Sequence, residues 1–551
     1  MSEIEQLREE LATTRAELEA YRERYQRALE RARILELGIL TGRKSERLRG
    51  DDEAQMSMQL LALLKEAKED GASVVAVEDE PSDADDDETG DDDDGVVEGG
   101  RARGRGRARR ALPEALPRVE IEVTPPEVQV EGLAAFRRIG EEVSEVVERR
   151  PASLVVVRIV RPKYARKDAG PATIAEQLAE ETPAAPAVVI AAPPERPIER
   201  GLAGPGLLAQ TLTMRWQDHL PLHRQEAIFA RDGLPLARQT ICDWHLQLAE
   251  LCAPLVDAMM VDAFTAPYVC VDATGVLVQA EEQCKRAHFW VLVAPGRHVL
   301  YRYSERHDSR AVDRLLAGYK GYLVADAAAV YNHLYESGEV IEVGCWAHCR
   351  RYFFRALESE PELAKQALGM IGKLFKIEAK LAEVTRAKRE SVRRKESAPV
   401  VEAFFKWCEV QAETALDGSP IAAALTYATN QQDGLQRFLE DGRLPLDNNI
   451  SERALRREAV GRKNWIFVGS DDGARANTIF VSLLASCQMH GVEPQGYLRD
   501  LLCLLPSWPR SRVLELAPAS WQKTLEQQET QQLLAANVFR AVALGEHPRA
   551  V

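Results

Sequence analysis

The chain has 551 residues, 45% hydrophobic and 28% charged, enough for roughly three to five packed domains. The net charge of −15 argues at first against a nucleic-acid partner, but twelve acidic residues lie in 78–94, and setting them aside leaves −3. No apolar run reaches the ~18 residues of a membrane-spanning helix, and the start, MSEIEQLREE, lacks an apolar signal core. The nine Cys all fall from Cys242 onward in no disulfide-like ladder, so the expectation is reduced thiols in a cytoplasmic protein.

Ile4, Leu7, Leu11, Thr14, Leu18, Tyr21, Tyr25, Ala28, Ala32 and Leu35 keep a 3-4 spacing between Glu- and Arg-rich flanks. That is a coiled-coil seam, followed by a second helix within residues 1–70; it suggests self-association of the first 40 residues, the alternative being a lone amphipathic helix docked on its own chain. Residues 71–112 join an acidic run to RARGRGRARR, a composition that buries too little apolar surface to order. Residues 113–170 carry three short strand signals, VEIEV, VSEVVERR and SLVVVRIVRP, and a Pro/Ala linker at 171–200 sets this unit apart. Residues 201–262 read as helical. Within them HLPLHRQEAIFARDGLPLARQTICDW has a helix, an Asp232-Gly233 turn and a second helix opened near Arg238 and Gln239. This pattern suits a helix-turn-helix whose second helix enters a major groove, and it equally suits plain packing.

From Pro267 short β-branched and aromatic runs take over: YVCVDATGVLVQ, HFWVLVA, HVLYRYS, GYLVAD and VIEVGCW, with helices near 310–319 and 328–337. They predict a mixed α/β core over 263–354 and 441–490, interrupted by a helical insertion at 355–440 and followed by a helical segment at 491–551. Asp272 and Asp326 each follow an apolar strand run, where open α/β sheets build their sites; an Asp there also serves as a turn or cap. Glu452 sits on the helix after LDNN, which Asp447, Asn448 or Asn449 can cap. It shares a face with Arg456, so it is either half of a surface ion pair or a third carboxylate beside the two aspartates. Three oxygen ligands without thiolate suit Mg²⁺ or Mn²⁺. Two such ions can activate an attacking oxygen and stabilise a leaving one in phosphodiester chemistry. Arg453, Arg456, Arg457, Arg462 and Lys463 crowd beside Glu452 ahead of Trp465, a pattern for a DNA backbone or a solvated helix face. Cys345, His348 and Cys349 match no common zinc knuckle.

Four segments then resemble the insertion sequence 66 family of DDE transposases: VDATGV at 271–276, LVADAAAVYN at 323–332, GCWAHCRRYFF at 344–354, and LDNNISERALRREAVGRKNWIFVGSDDGARA at 446–476. TGRKSERL (41–48), RRIGEEVSEV (137–146), VRPKYA (160–165) and the stretch 201–233 extend the likeness over most of the chain. The resemblance implies a ribonuclease-H-like mixed sheet with a helical insertion, an N-terminal coiled coil and a helical DNA-binding region. It implies Asp272, Asp326 and Glu452 as the acidic triad. Asp272 is then shared by two Mg²⁺ or Mn²⁺ ions, with Asp326 and Glu452 each completing one. It further implies element ends and target DNA as partners, small accessory proteins of the same element, and a nucleoid-associated location. The family's zinc unit usually carries paired cysteines; here those stretches read VQVEGLAAF and RKDAG, so the expectation is no zinc. Ala273-Thr274-Gly275 replaces the usual Glu-Thr-Pro beside the first aspartate. The function expected is a DNA transposase that cleaves element ends and joins them to target DNA. The rivals are a catalytically decayed DNA-binding relative and a metal-dependent nuclease on the same fold.

Overall fold

The structure, a computed structural model, describes residues 112–114, 116–150, 153–166, 188–281 and 283–546. The expected coiled coil and nearly all of the acidic and Arg-rich tract lie outside the described residues.

The first sheet has β1 (Arg118–Glu122), β2 (Phe136–Arg150), β3 (Ser153–Arg166) and β4 (Val188–Ile190), in the order β1-β3-β2 with β4 also on β3. β2 and β3 form a long antiparallel hairpin, and β1 runs parallel to β3. β2 begins seven residues before its apolar run because charge continues the ladder: Glu142 faces Arg161 across the strands, and the pair closes at 2.7 Å. Val146, Val155, Val157 and Ile159 pack against Val538, Phe539 and Val542, so the C-terminal helix Val538–Ala543 completes this core.

This small sheet is not set apart by the 171–200 stretch. The Val147 N–H donates to Leu202 O and the Gly204 N–H to Val147 O, each at 2.8 Å. Glu148, fully buried, accepts the Leu207 N–H at 2.8 Å at the start of the Pro205–Trp216 helix. The reason is packing: the inner strand faces are almost all Val and Ile, and an apolar face must be covered. The helices Leu222–Arg231 and Arg238–Ala263 follow, turning at Gly233, whose φ of +82° suits a residue without Cβ.

The second sheet holds β5 (Tyr268–Val278), β6 (Lys285–Ala294), β7 (His298–Ser304), β8 (Gly321–Val324), β9 (Val340–Val343) and β10 (Phe467–Val468). Its order is β7-β6-β5-β8-β9, and β10 also pairs with β5. β5, β6 and β7 form an antiparallel meander; β8 runs parallel to β5, and β9 parallel to β8. The chain is therefore mixed α/β, as expected. The edge of β7 is covered by the Asp471–Met489 helix. Ser482 Oγ accepts the Tyr301 N–H at 2.8 Å, and Ser486 Oγ accepts the Val299 N–H at 3.0 Å. Two serines four apart on one helical face thus satisfy an otherwise open strand edge.

Between β9 and β10 the chain is helical through Trp346–Arg355, Pro361–Ala379, Arg386–Val392, Ala398–Ala412 and Pro420–Asn430. Buried Arg393 closes this insertion. It donates to Phe438 O at 2.7 Å and Leu444 O at 2.9 Å, and to Glu378 at 3.0 Å, so a fully buried charge is paired and hydrogen-bonded.

Candidate active site

Asp272 does not end its strand: β5 continues through Ala273-Thr274-Gly275 to Val278 because its pairing with β6 continues. What ends near Asp272 is the parallel neighbour. Cys270 opposite Val324 is the last β5–β8 pair, and Asp272 and Asp326 each lie two residues beyond it. Parallel strands are ~4.8 Å apart, so the register alone puts the two aspartates side by side.

Glu452 arrives from the first turn of the Asn449–Trp465 helix. Asp447 Oδ1 accepts the Asn449 N–H at 3.0 Å and Asp447 Oδ2 accepts Asn449 Nδ2 at 2.9 Å, so Asp447 is spent on starting that helix. Buried Asn448 ties it to the sheet, donating from Nδ2 to Val271 O at 2.9 Å, next to Asp272. Its backbone N–H reaches Cys345 Sγ at 3.2 Å, and the Trp346 N–H reaches Leu446 O at 3.1 Å. Three stretches distant in sequence are thereby stitched at one corner.

The electrostatics follow from this meeting. Burial pushes the Asp272 carboxyl up to about 7. The Ala273 N–H, 2.7 Å away, opposes that, the negative charges of Asp326 and Glu452 add to it, and Arg351 counters them. Tyr331, also buried, has its phenol raised first by desolvation and then by Asp326 and Asp272. Glu452 is met by two basic side chains: Arg351 Nη2 donates to Oε1 at 3.1 Å, and His348 Nε2 lies 3.5 Å from the same oxygen. Burial, then Arg351, lowers the His348 pKa, favouring its neutral form.

GCWAHCRRYF thus brackets the third carboxylate rather than forming a metal knuckle. Cys349 and Trp346 are in the core, with Trp346 Nε1 donating to Leu435 O at 2.8 Å. His348 and Arg351, three apart on the helix, face Glu452. That i, i+3 spacing of two basic residues opposite apolar ones was the readable signal in the sequence.

Among the described residues no three His, Cys, Asp or Glu side chains stand close enough to form a metal cage. The donor chemistry nevertheless fits a hard divalent cation: three carboxylates and no thiolate. The raised Asp272 pKa comes first from burial and then from the neighbouring Asp326 and Glu452 charges, a combination frequent at functional sites.

The basic residues divide. Arg453, Arg456 and Lys463 are exposed. Arg457 turns inward to Gln217 Oε1 at 2.7 Å, Trp216 O at 3.2 Å and Gln488 Oε1 at 2.8 Å. Arg462 donates to Thr274 Oγ1 at 3.0 Å and to Gly275 O, clamping the helix to β5 two residues past Asp272. Glu452 pairs with Arg351 and not with Arg456. Arg238 and Gln239 are exposed in the first turn of the Arg238–Ala263 helix, and Gln239 Nε2 donates to Asp243 at 2.8 Å.

A buried network beneath the helix gave no sequence signal. Glu458, pushed up to about 7 by burial, accepts from Asn477 Nδ2 at 2.9 Å, and Asn477 in turn accepts from Trp216 Nε1. Arg215, lowered to about 10 by burial, lies 5.3 Å from the Trp465 ring centroid.

Known proteins match over the same region. The family model described as "Transposase IS66 family" matches residues 200–476, half of the chain and the whole span of Asp272, Asp326 and Glu452. The chain belongs to the IS66 transposase family. The "IS66 C-terminal element" matches residues 482–519, and "Transposase C of IS166 homeodomain" matches residues 41–121. Similar curated relatives come from Sinorhizobium fredii. Uncharacterized protein y4qI is 31% identical over 433 residues, covering 75% of this chain and 77% of its own. Uncharacterized proteins y4hP (27% over 449 residues; 75% and 77%) and y4jD (29% over 411 residues; 71% and 77%) follow. This IS66 transposase therefore carries a DNA-binding, homeodomain-like region as well as its α/β core. Among its described residues no helix is long and apolar enough to cross a membrane.

Proposed function

We propose that this IS66-family chain cuts the ends of its element and joins them to target DNA, with Asp272, Asp326 and Glu452 holding two Mg²⁺ or Mn²⁺ ions. One observation carries the reading. The Asp272 carboxyl feels the charges of Asp326 and Glu452, which come from segments 54 and 126 residues further along the chain in turn. The strand order and directions, with acids on β5, just after β8 and on a later helix, support a ribonuclease-H-like core. The heptad seam from Ile4 to Leu35 supports a homo-oligomer, and DNA as substrate supports a nucleoid-associated site of action.

When bound, the divalent ions supply acidity at the attacking oxygen and neutralise the leaving one. The protein's own part is positioning. Asn448 fixes the helix against Val271 O, and Arg462 fixes it against Gly275 O, so the Glu452 backbone is set relative to Asp272 from two points. Arg351 and His348 orient the Glu452 carboxylate. Exposed Arg453, Arg456 and Lys463 bind phosphates beside the triad, while Arg238 and Gln239 at the helix-turn-helix read base edges.

The test uses purified protein, a labelled element end and Mg²⁺ or Mn²⁺. D272N, D326N and E452Q should each abolish end cleavage and strand transfer while DNA binding persists. D447N should keep measurable chemistry. An E452Q protein cutting near the wild-type rate, or D447N as the inactivating change, refutes the triad. Strand-transfer products separate a transposase from a plain nuclease.

A further inference from the structure

Beyond the triad, a cleft of about 880 Å³ opens at the end of β7 and the start of the Ser309–Leu315 helix. Its walls include Arg302, Arg306, Arg310, Arg314, Arg475 and Trp290. Three acids share those walls, fewer than the five arginines, and none pairs with Arg306 or Arg310. Asp308 caps the helix through the Ala311 N–H at 3.0 Å, Asp313 pairs with His333 at 2.6 Å, and Glu305 lies 3.7 Å from Lys285. Of the arginines, Arg302 pairs with Asp257 and Arg475 with Asp472. Arg314 has only a 3.5 Å contact with Ser304 Oγ. Exposed Arg306 and Arg310 have no ion-pair partner among the described residues. The cleft thus presents uncompensated guanidinium groups to solvent.

Its position connects it to the chemistry. β5, β6 and β7 alternate in direction, so β7 leaves the sheet at the end where β8 delivers Asp326. Inside the cleft wall, His307 stacks on Trp290 with ring centroids 4.8 Å apart, and Trp290 meets Tyr331 edge-on at 6.3 Å. Tyr331 is the residue whose phenol feels Asp326 and Asp272. A relay of three rings therefore separates the arginine cleft from the carboxylates. Trp290 is 1% exposed, and among the described residues its Nε1–H has no acceptor.

We infer that this cleft binds the phosphodiester backbone of DNA running to or from the triad, with Arg306 and Arg310 as its principal contacts. The inference rests on the transposase reading for the choice of polyanion. Guanidinium groups, unpaired and exposed at the mouth of a groove, suit phosphate oxygens.

The experiment measures binding of the full chain to a labelled duplex as a function of NaCl concentration. Each lost phosphate contact flattens the log K against log salt slope by about 0.9. R306A/R310A should therefore flatten it by about 1.8, and, extrapolated from 1 M salt, weaken binding by roughly 60-fold at 0.1 M. R306K/R310K should restore most of the slope, because charge rather than fold is at issue. Unchanged affinity and slope in R306A/R310A overturns the cleft, even where D272N is inactive and the triad stands. Flattened binding in R306A/R310A supports the cleft, even where D272N cuts like wild type and the triad reading falls. Lost binding that the Lys pair does not restore, with a lowered melting temperature, also overturns it, since the arginines are then structural.

Discussion

Neutralising Asp272 should stabilise the metal-free protein while removing its chemistry. The folded pKa of about 7 lies above the reference 3.8, so the folded state binds the extra proton between those values. Stability from this group is therefore fully present below pH 3.8 and is lost as pH rises through 7. A shift of about three units at ~1.4 kcal/mol each sets a ceiling of roughly 4 kcal/mol. Asp272 is partly accessible, and relaxation with water shares the penalty, so D272N should gain about 1–3 kcal/mol at pH 8. Asn keeps an oxygen for the Ala273 N–H, so that bond survives. The assay is thermal or urea unfolding of chelator-treated wild type and D272N from pH 4 to pH 8. The gain should be absent near pH 4, grow through pH 5–7 and level off above. Added Mg²⁺ should then stabilise wild type and leave D272N unmoved. A D272N protein that is less stable at pH 8, or a gain independent of pH, refutes the claim that burial, with the nearby Asp326 and Glu452 charges, raises the Asp272 carboxyl.

Glu148 offers the same physics away from the site. Burial raises it to about 8 from 4.5, against the Arg149, Gly206 and Leu207 N–H groups, so stability should fall by about 1.4 kcal/mol per pH unit across that window; E148Q should remove this slope in unfolding curves. A Cβ at Gly344 would stand 2.8 Å from Leu435 N and 2.9 Å from Gly434 C, both backbone, at the turn from β9 into the helix of His348 and Arg351. G344A should cost about 1–3 kcal/mol and reduce cleavage, measured by melting and by turnover on a labelled end. R238A/Q239A should weaken binding to element ends more than to random duplex, whereas R453A/K463A should weaken both alike and flatten the salt dependence; equal losses from R238A/Q239A in a competition assay refute the division.

The sheet was legible because β5 to β9 are short, apolar and bounded by turns, and the insertion because its apolar residues recur at helical spacing. Strand limits were less so. Asp272 looks terminal in YVCVD, yet the ladder to β6 carries Ala273-Thr274-Gly275 onward, and pairing partners are not written locally. The same holds for the start of β2, which partners on the opposite strand explain, Arg161 beside Glu142 and Tyr164 beside Phe136. The three carboxylates were visible as positions after apolar runs. Their mutual influence was not, since it depends on Asn448 reaching Val271 O, a contact across 177 residues. The basic run beside Glu452 shows the limit of counting charges. Arg453, Arg456 and Lys463 face solvent, but Arg457 and Arg462 spend their guanidinium groups inside the protein, and composition cannot separate the two sets.

That separation bears on how the site is built. The Asn449–Trp465 helix is held from several sides at once: Asn448 and Arg462 on β5, Arg457 on the Pro205–Trp216 helix end, Glu458 on Asn477, and the Tyr301 hydroxyl donating to Ala454 O at 2.7 Å. Apart from Arg462 and Arg457, each of these contacts is buried or nearly so, where a lost partner leaves an unsatisfied group costing ~1–3 kcal/mol. The backbone under Glu452 is therefore fixed. Its carboxylate is held differently, by Arg351, whose side chain is 49% exposed and whose pair with it is worth at most about 1 kcal/mol. Rigid placement of the main chain with a weakly held charge at its tip is what a ligand position requires. The geometry is set in advance, and the carboxylate can exchange its partner at little cost.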